Sequence, residues 1–322
     1  MVLWSCWGFL LLSARTALAI VGPTASGKTK LGIECARELS GEIIGTDSMQ
    51  VYQGLSIGTA KPSLNELDGV VHHMLDVWPL SHASDVAEFQ EVARKQITEV
   101  FDSGHVPIVV GGSVLYVNAV LDEFDFPGTD PEVRSRYQSR LDEVGPGKLH
   151  EMLATRDPAA AQSIHPTNGR RIVRALEVIE LTGAPYVATL PSTPKEHIAT
   201  CRVGLEIDRS ILDRRIADRV DHMFAHGLVE EVEQALSNGL RESVTARKAI
   251  GYSQIIQVLD GNSSIEQARI DIIAATRKFA RRQQRWFRQD PRITWLPWNA
   301  VDLVDRVLMH FDEVLSTHQV RE

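Results

Sequence analysis

The sequence predicts an α/β protein, a P-loop parallel-sheet core carrying a helical insertion domain. Apolar segments of strand length alternate with helical stretches, and no hairpin signals separate them. A glycine-rich loop joins the first such segment to a helix, and the texture turns polar and helical after about residue 122. With 322 residues, 43% of them hydrophobic, the chain can bury a core as one large domain or two modest ones.

In order, TALAIVG reads as a buried strand, followed by the glycine loop and a helix from about Lys28 to Leu39. GEIIGTDS is a second strand ending at Asp47, and VPIVVGGS (106–113) a third. In a parallel sheet, ligands sit at the carboxyl ends of the strands. The loop, Asp47 and Ser113 all fall at such ends, so three segments converge on one site. Residues 122–196 read as the helical insertion, leaving 15–121 and 197–322 for the core. TCRVGLEID (200–208) rejoins the sheet, and Asp208 is placed to cap the next helix. Leu212, Ile216, Val220, Phe224, Leu228, Val232 and Leu236 then recur every four residues, the buried face of one helix.

The N-terminal run LWSCWGFLLLSARTALA has the texture of a secretory signal. No Lys or Arg precedes its apolar run, however, and cleavage after Ala19 would remove most of the first strand. Residues 1–14 are therefore expected to be a poorly ordered extension. No other stretch reaches the length of a membrane span. Cys6, Cys35 and Cys201 are scattered and form no CxxC, which argues against a disulfide framework or zinc finger and favours the reducing cytoplasm. His72 and His73 read as structural, because strand neighbours face opposite ways and cannot readily share a metal.

Gly22, Pro23, Thr24, Ala25, Ser26, Gly27, Lys28 and Thr29 match GxxxxGK[ST] between a strand and a helix, the context the motif requires. Backbone amides and the helix N-terminus cradle a di- or triphosphate, Lys28 adds charge, and the Thr29 hydroxyl can ligand Mg²⁺. The motif is shared with ATP-binding proteins, but an NTPase or kinase also needs an acid closing an apolar strand. The best candidate strand ends Val109-Val110-Gly111-Gly112-Ser113, with no carboxylate. The acid lies instead at Asp47, where it can take a proton from an attacking nucleophile or simply cap a turn.

The formal net charge of −8 alone argues against a nucleic-acid partner, yet Arg269 to Arg288 holds seven basic residues against one acid. On a helix, Arg277, Arg281, Arg285 and Arg288 share a face, with Trp286 and Phe287 offering rings. That pattern suits a polyanion. Arg134, Arg170, Arg171 and Arg174 add basic points in the insertion.

These segments resemble the tRNA dimethylallyltransferases. The matching stretches are GPTASGKT (22–29), DSMQVY (47–52), IGTAKP (57–62), HHMLD (72–76), VVGGSVLY (109–116), RALEVIELTG (174–183), RIADRVDHM (215–223), AIGY (249–252) and RRQQRWFR (281–288), in family order over nearly the whole chain beyond residue 17. The resemblance implies that a dimethylallyl group passes from dimethylallyl diphosphate to N6 of the adenosine 3′ to the anticodon. The loop would then hold a departing diphosphate, with Lys28, Mg²⁺, Ser113 and Arg219 neutralising it and Asp47 acting as base. By family position, Asp47, Ser48, Met49 and Gln50, the four insertion arginines, and Lys248, Gly251 and Tyr252 would grip the anticodon stem-loop. Arg281, Arg282, Gln283, Gln284, Arg285, Trp286 and Arg288 would add the C-terminal contacts. The protein is expected to be a monomer. Ser113 replaces the family's usual threonine but keeps a hydroxyl, Val114 stands where a glycine is common, and the zinc finger of some eukaryotic relatives is missing. A small-molecule kinase would share the loop and sheet but bind ATP and need no basic helix. A non-catalytic RNA-binding module would tolerate loss of Asp47.

Overall fold

The computed structural model describes residues 15–124, 126–186 and 194–319. The extension expected over residues 1–14 lies outside them. The chain divides into two compact units, Phe124–Pro194 and the remainder.

In the larger unit, β1 (Thr16–Val21) leads through the glycine loop into α1 (Lys28–Glu38). Then come β2 (Gly41–Gly45), α2 (Leu64–Leu67), β3 (His72–His73), α3 (Val86–Asp102), β4 (Val106–Gly111) and α4 (Val114–Leu121). The insertion holds α5 (Pro131–Arg156), α6 (Pro158–Ser163) and α7 (Gly169–Thr182). After it follow β5 (Ala199–Glu206), α8 (Arg209–Ala225), α9 (Leu228–Ser237), α10 (Tyr252–Leu259), α11 (Ile265–Phe287), β6 (Ile293–Pro297) and α12 (Leu303–Gln319).

All six strands are parallel, in the order β3-β2-β4-β1-β5-β6. Helices cover both faces, which is why β4 and nearly all of β1 are apolar. Leu18 and Ile20 of β1 enter one core with Ile43, Ile108 and Val203, while Ala19 and Val21 enter the other with Ile44 and Val109. The edge strand β6 was not among the expected strands; it is short and closes on Pro297.

The apolar stripe expected on one helix falls on two. Gly227 takes a left-handed conformation (φ 95°), ending α8 and starting α9 in a new direction. Leu228 and Val232 are still buried, but Phe224 and Leu236 are only half-buried. Asp208 does sit at the N-cap of α8, although its side chain makes no capping hydrogen bond.

Within the insertion, Tyr137, Leu149, Leu153, Ile172 and Leu176 form a separate small core. Its one fully buried carboxylate, among the described residues, is Glu177. Arg134 donates to it from Nε and Nη2 at 3.0 and 2.8 Å, and Arg174 donates from Nη1 at 3.2 Å. Arg174 also donates to the Pro127 carbonyl at 2.6 Å. Arg134 and Arg174 therefore also neutralise a buried acid, while their side chains stay 47% and 25% exposed. Arg170 and Arg171 stay on the surface.

A second buried charge cluster ties the end of α4 to the far side of the sheet. Asp122 accepts from Arg202 Nη2 at 2.6 Å and from Arg292 Nη1 at 2.7 Å, with the Asp122 and Arg202 side chains 0% and 2% exposed. Asp122→Ala leaves Arg202 without its closest counter-charge in the interior, and is expected to cost about 3–5 kcal/mol. Urea unfolding measures this; a midpoint equal to the parent's would refute the assignment.

Candidate active site

The carboxyl ends of β1, β2 and β4 open into a cavity of about 290 Å³. The glycine loop forms its floor: Thr24, Ala25, Gly27, Lys28 and Thr29 all face it. The first amides of α1 have no intrahelical partners, and the helix dipole adds partial positive charge there. The Ser26 hydroxyl is buried in the loop without a hydrogen-bond partner among the described residues. A phosphate oxygen is the group such a cradle lacks.

Two cations stand beside the loop, Lys28 buried and Arg219 half-buried. Lys28 Nζ donates to the Pro23 carbonyl at 2.6 Å, and Arg219, from α8, donates from Nη1 to Thr24 Oγ1 at 3.3 Å. Burial, and then the Arg219 charge, lower the Lys28 ammonium to about 7, against the pull of Asp47. Burial also lowers Arg219, again opposed by Asp47. The site thus holds more positive charge than it can balance by itself.

Asp47 follows β2, and its Oδ1 accepts from the Met49 amide at 2.8 Å. Its Oδ2 has no hydrogen-bond partner among the described residues, so one lone-pair face is open to a substrate. Gln50 Nε2 donates to the Thr59 and Ala60 carbonyls at 3.1 and 3.2 Å, and Gln50, Thr59, Ala60 and Pro62 form one wall. Ser48 and Met49 are half-buried and do not line the cavity, Met49 packing on the core instead.

Where β4 ends, Gly111 and Gly112 meet the cavity, and Ser113 begins α4 as its N-cap without lining it. A side chain at Gly111 would collide with the Thr46 hydroxyl, and one at Gly112 would meet Gln283 Nε2 at 2.5 Å. Packing therefore excludes the strand-end carboxylate of an NTPase at these two positions.

Three residues change role once the fold is known. Gln283 was expected on the RNA surface, but it is 6% exposed, lines the cavity, and accepts the Thr24 amide on Oε1 at 2.9 Å. Tyr252 was expected to contact RNA, but it is fully buried with its hydroxyl donating to Glu231 at 2.5 Å, so its ring offers no face to a ligand. His72 was read as structural, yet it lines the cavity. Its Nδ1 lies 2.9 Å from the Val70 carbonyl, which can only accept, so Nδ1 carries the proton, and the lone pair of the buried Nε2 has no partner among the described residues. Burial holds this imidazole below its ordinary range, hence neutral. His73 faces away and pairs with Glu42 at 2.6 Å. Alternation along a strand could separate the two histidines from sequence, but not say which one met a cavity.

On α11, Arg281, Arg282, Arg285 and Trp286 are exposed, and Gln284 is half-buried. The face is less uniform than its spacing suggests. Arg277 donates to the Asp213 carbonyl at 2.9 Å and Arg288 pairs with Glu206 at 2.9 Å. Arg281 and Arg285 have no ion-pair or hydrogen-bond partner among the described residues. Lys248 is exposed, and Gly251 (φ 97°) caps α10.

Comparisons with known proteins agree with this geometry. Residues 50–290 match the family model described as IPP transferase. A tRNA dimethylallyltransferase of Thermobifida fusca is 52% identical over 296 residues, covering 90% of this chain and 92% of the relative. The solved full-length tRNA isopentenylpyrophosphate transferase of Bacillus halodurans is 38% identical, with a TM-score of 0.69 over 95% of this chain and 98% of that one. A eukaryotic dimethylallyltransferase, solved acting on tRNA, is 25% identical with a TM-score of 0.77, covering 96% of this chain and 80% of that one. The chain belongs to the IPP transferase family.

Proposed function

We propose that this transferase moves the dimethylallyl group of dimethylallyl diphosphate onto the exocyclic N6 of the adenosine 3′ to the anticodon of tRNA, releasing diphosphate. One observation carries the reading: a phosphate loop with a buried lysine and a half-buried arginine shares a cavity with a carboxylate that keeps an open oxygen. The relatives' names supply the dimethylallyl group and tRNA as its acceptor; the diphosphate donor and the adenosine are our assignment.

In this mechanism the allylic C–O bond breaks and its electron pair leaves with the diphosphate. The loop amides, Lys28 and Arg219 stabilise the charge that develops on the departing oxygens. The adenine N6 attacks the allylic carbon, and its proton passes to Asp47 as the C–N bond forms. To reach a half-buried carboxylate the adenosine leaves its stack and enters the cavity. The Thr29 hydroxyl also faces the cavity, at the start of α1. It is a hard oxygen donor, and Mg²⁺ needs few protein ligands when diphosphate oxygens and water complete its shell, so the donor set fits the ion. Bound there, Mg²⁺ would supply further charge neutralisation. Ser113, lying outside the cavity walls, keeps at most an indirect part.

The exposed Arg281 and Arg285, with Arg282 and Trp286, are the surface we assign to the anionic anticodon stem-loop. We take the protein to act as a monomer in the cytoplasm, a setting that suits the free, buried thiols of Cys35 and Cys201. Among the described residues no helix is long and apolar enough to cross a membrane.

Unmodified tRNA incubated with labelled dimethylallyl diphosphate and no ATP should acquire label, with Asp47→Asn slower by about 10²–10⁴. Parent-like single-turnover transfer by that variant would remove Asp47 from the mechanism. Stoichiometric ATP consumption would revive the kinase reading.

A pH prediction follows from Lys28. Its folded pKa of about 7 lies below the ordinary 10.5, so between those values the free protein carries less than a full charge there. A bound diphosphate restores the proton. Calorimetry in buffers of different ionisation enthalpy should therefore show more proton uptake with pyrophosphate at pH 8 to 9 for the parent than for Lys28→Met. Equal uptake would mean that the ammonium does not meet the anion.

Replacing Arg281 and Arg285 by Ala should weaken tRNA binding and flatten its dependence on log salt by roughly one to two units. Pyrophosphate binding should stay unchanged. An unaltered salt slope would place the RNA on another surface.

A further inference from the structure

Outside the cavity, the first turn of α9 makes an unusual contact with the IGTAKP stretch. The Glu231 carboxylate accepts from three consecutive backbone amides: Ser56 and Ile57 at 2.9 and 2.7 Å on Oε2, and Gly58 at 3.0 Å on Oε1. Oε1 also accepts the Tyr252 hydroxyl at 2.5 Å. Burial and the adjacent carboxylate push that phenol well above its ordinary value, so it stays a donor at any working pH. Successive amides aimed at one point form an anion-binding nest. Here the anion is a side chain of the same chain, delivered by the helix break at Gly227. Gly58 completes the fit, since any side chain there would press on the Tyr252 ring at 2.5 Å.

The loop so held turns directly into the cavity wall. Thr59 and Ala60 follow the clamped amides, their carbonyls hold the Gln50 amide, and all three line the cavity with Asp47. Fixing the Gln50 amide group on two carbonyls leaves its oxygen as the end that can meet a ligand.

We infer that Glu231 is a positioning residue for the nucleoside-side wall of the cavity, setting Gln50 beside Asp47 through the 56–60 backbone. This rests on the transfer reaction proposed above. It assigns Glu231 no contact with substrate, and it separates this wall from the phosphate floor, which is built from the glycine loop, α8 and Gln283.

The test uses the full chain with Glu231→Gln, Gln50→Ala and the double variant, varying tRNA and prenyl donor separately. Gln keeps the volume but loses the charge and sets its own N–H group against a row of donors. For Glu231→Gln, kcat/KM for tRNA should fall on the order of 10²-fold, as for a displaced positioning group. Pyrophosphate binding, read by calorimetry, should be unchanged. Because Glu231 acts through Gln50, the double variant should be little worse than the worse single one. Tyr252→Phe, which deletes one of four donors and spares the ring, should give a smaller loss in the same parameter. Parent-like kcat/KM in Glu231→Gln or in Tyr252→Phe, additive losses, or an equal loss of pyrophosphate binding would each overturn the inference. If the parent itself transfers no prenyl group, the reaction reading fails first. Amide exchange at Ser56, Ile57 and Gly58 then tests the clamp alone: unchanged protection in Glu231→Gln refutes it.

Discussion

Positive charge held away from water beside the phosphate loop is the constraint on which the rest of this site depends. Lys28 is buried and Arg219 half-buried; burial and the Arg219 charge lower the Lys28 ammonium, burial lowers Arg219, and Asp47 opposes both shifts. Such an arrangement is costly in the empty protein. A polyphosphate entering the loop relieves that cost, and a leaving diphosphate, which gains charge as its bond breaks, relieves more of it.

The scaffold answers this constraint from several directions. Parallel strands bring the loop, Asp47 and the Gly111–Gly112 pair to one edge. α8 supplies Arg219 from one side, and α11 supplies Gln283, whose amide oxygen pins Thr24. α11 thus has two faces with different partners. Its inward face touches the phosphate loop, and its outward face carries Arg281 and Arg285. One rigid helix therefore joins the surface assigned to RNA with the floor assigned to the donor. The pairing of Arg277 and Arg288 with groups of the same unit narrows the free positive charge on that helix.

Much of the site was legible before any coordinates. The loop motif and the strand-end position of Asp47 rest on local pattern, Arg219 on the family resemblance, and Thr24, Lys28, Thr29, Asp47 and Arg219 all line the cavity. Local pattern failed where a polar side chain had two plausible destinations. Gln283 sits in a basic, polar run, and only the packing of α11 against the loop turns it inward. Arg134 and Arg174 look like plain surface cations, and only the fold shows that both also pair with the buried Glu177. Tyr252 has a family motif around it, yet its burial against Gly58 decides its role.

By itself the sequence determined the α/β class, the central apolar strands, the phosphate loop and the chemistry its neighbours can offer. These follow from hydrophobic period, glycine placement and residue type, all of which act over a few residues. Tertiary structure decided that one apolar stripe would become two helices at Gly227, that His72 would face the cavity, and that Glu231 would reach three amides some 175 residues away in sequence. Such outcomes depend on which donor meets which acceptor once the chain is folded. A buried polar group takes whatever partner packing brings within hydrogen-bond distance, and no local period encodes that partner.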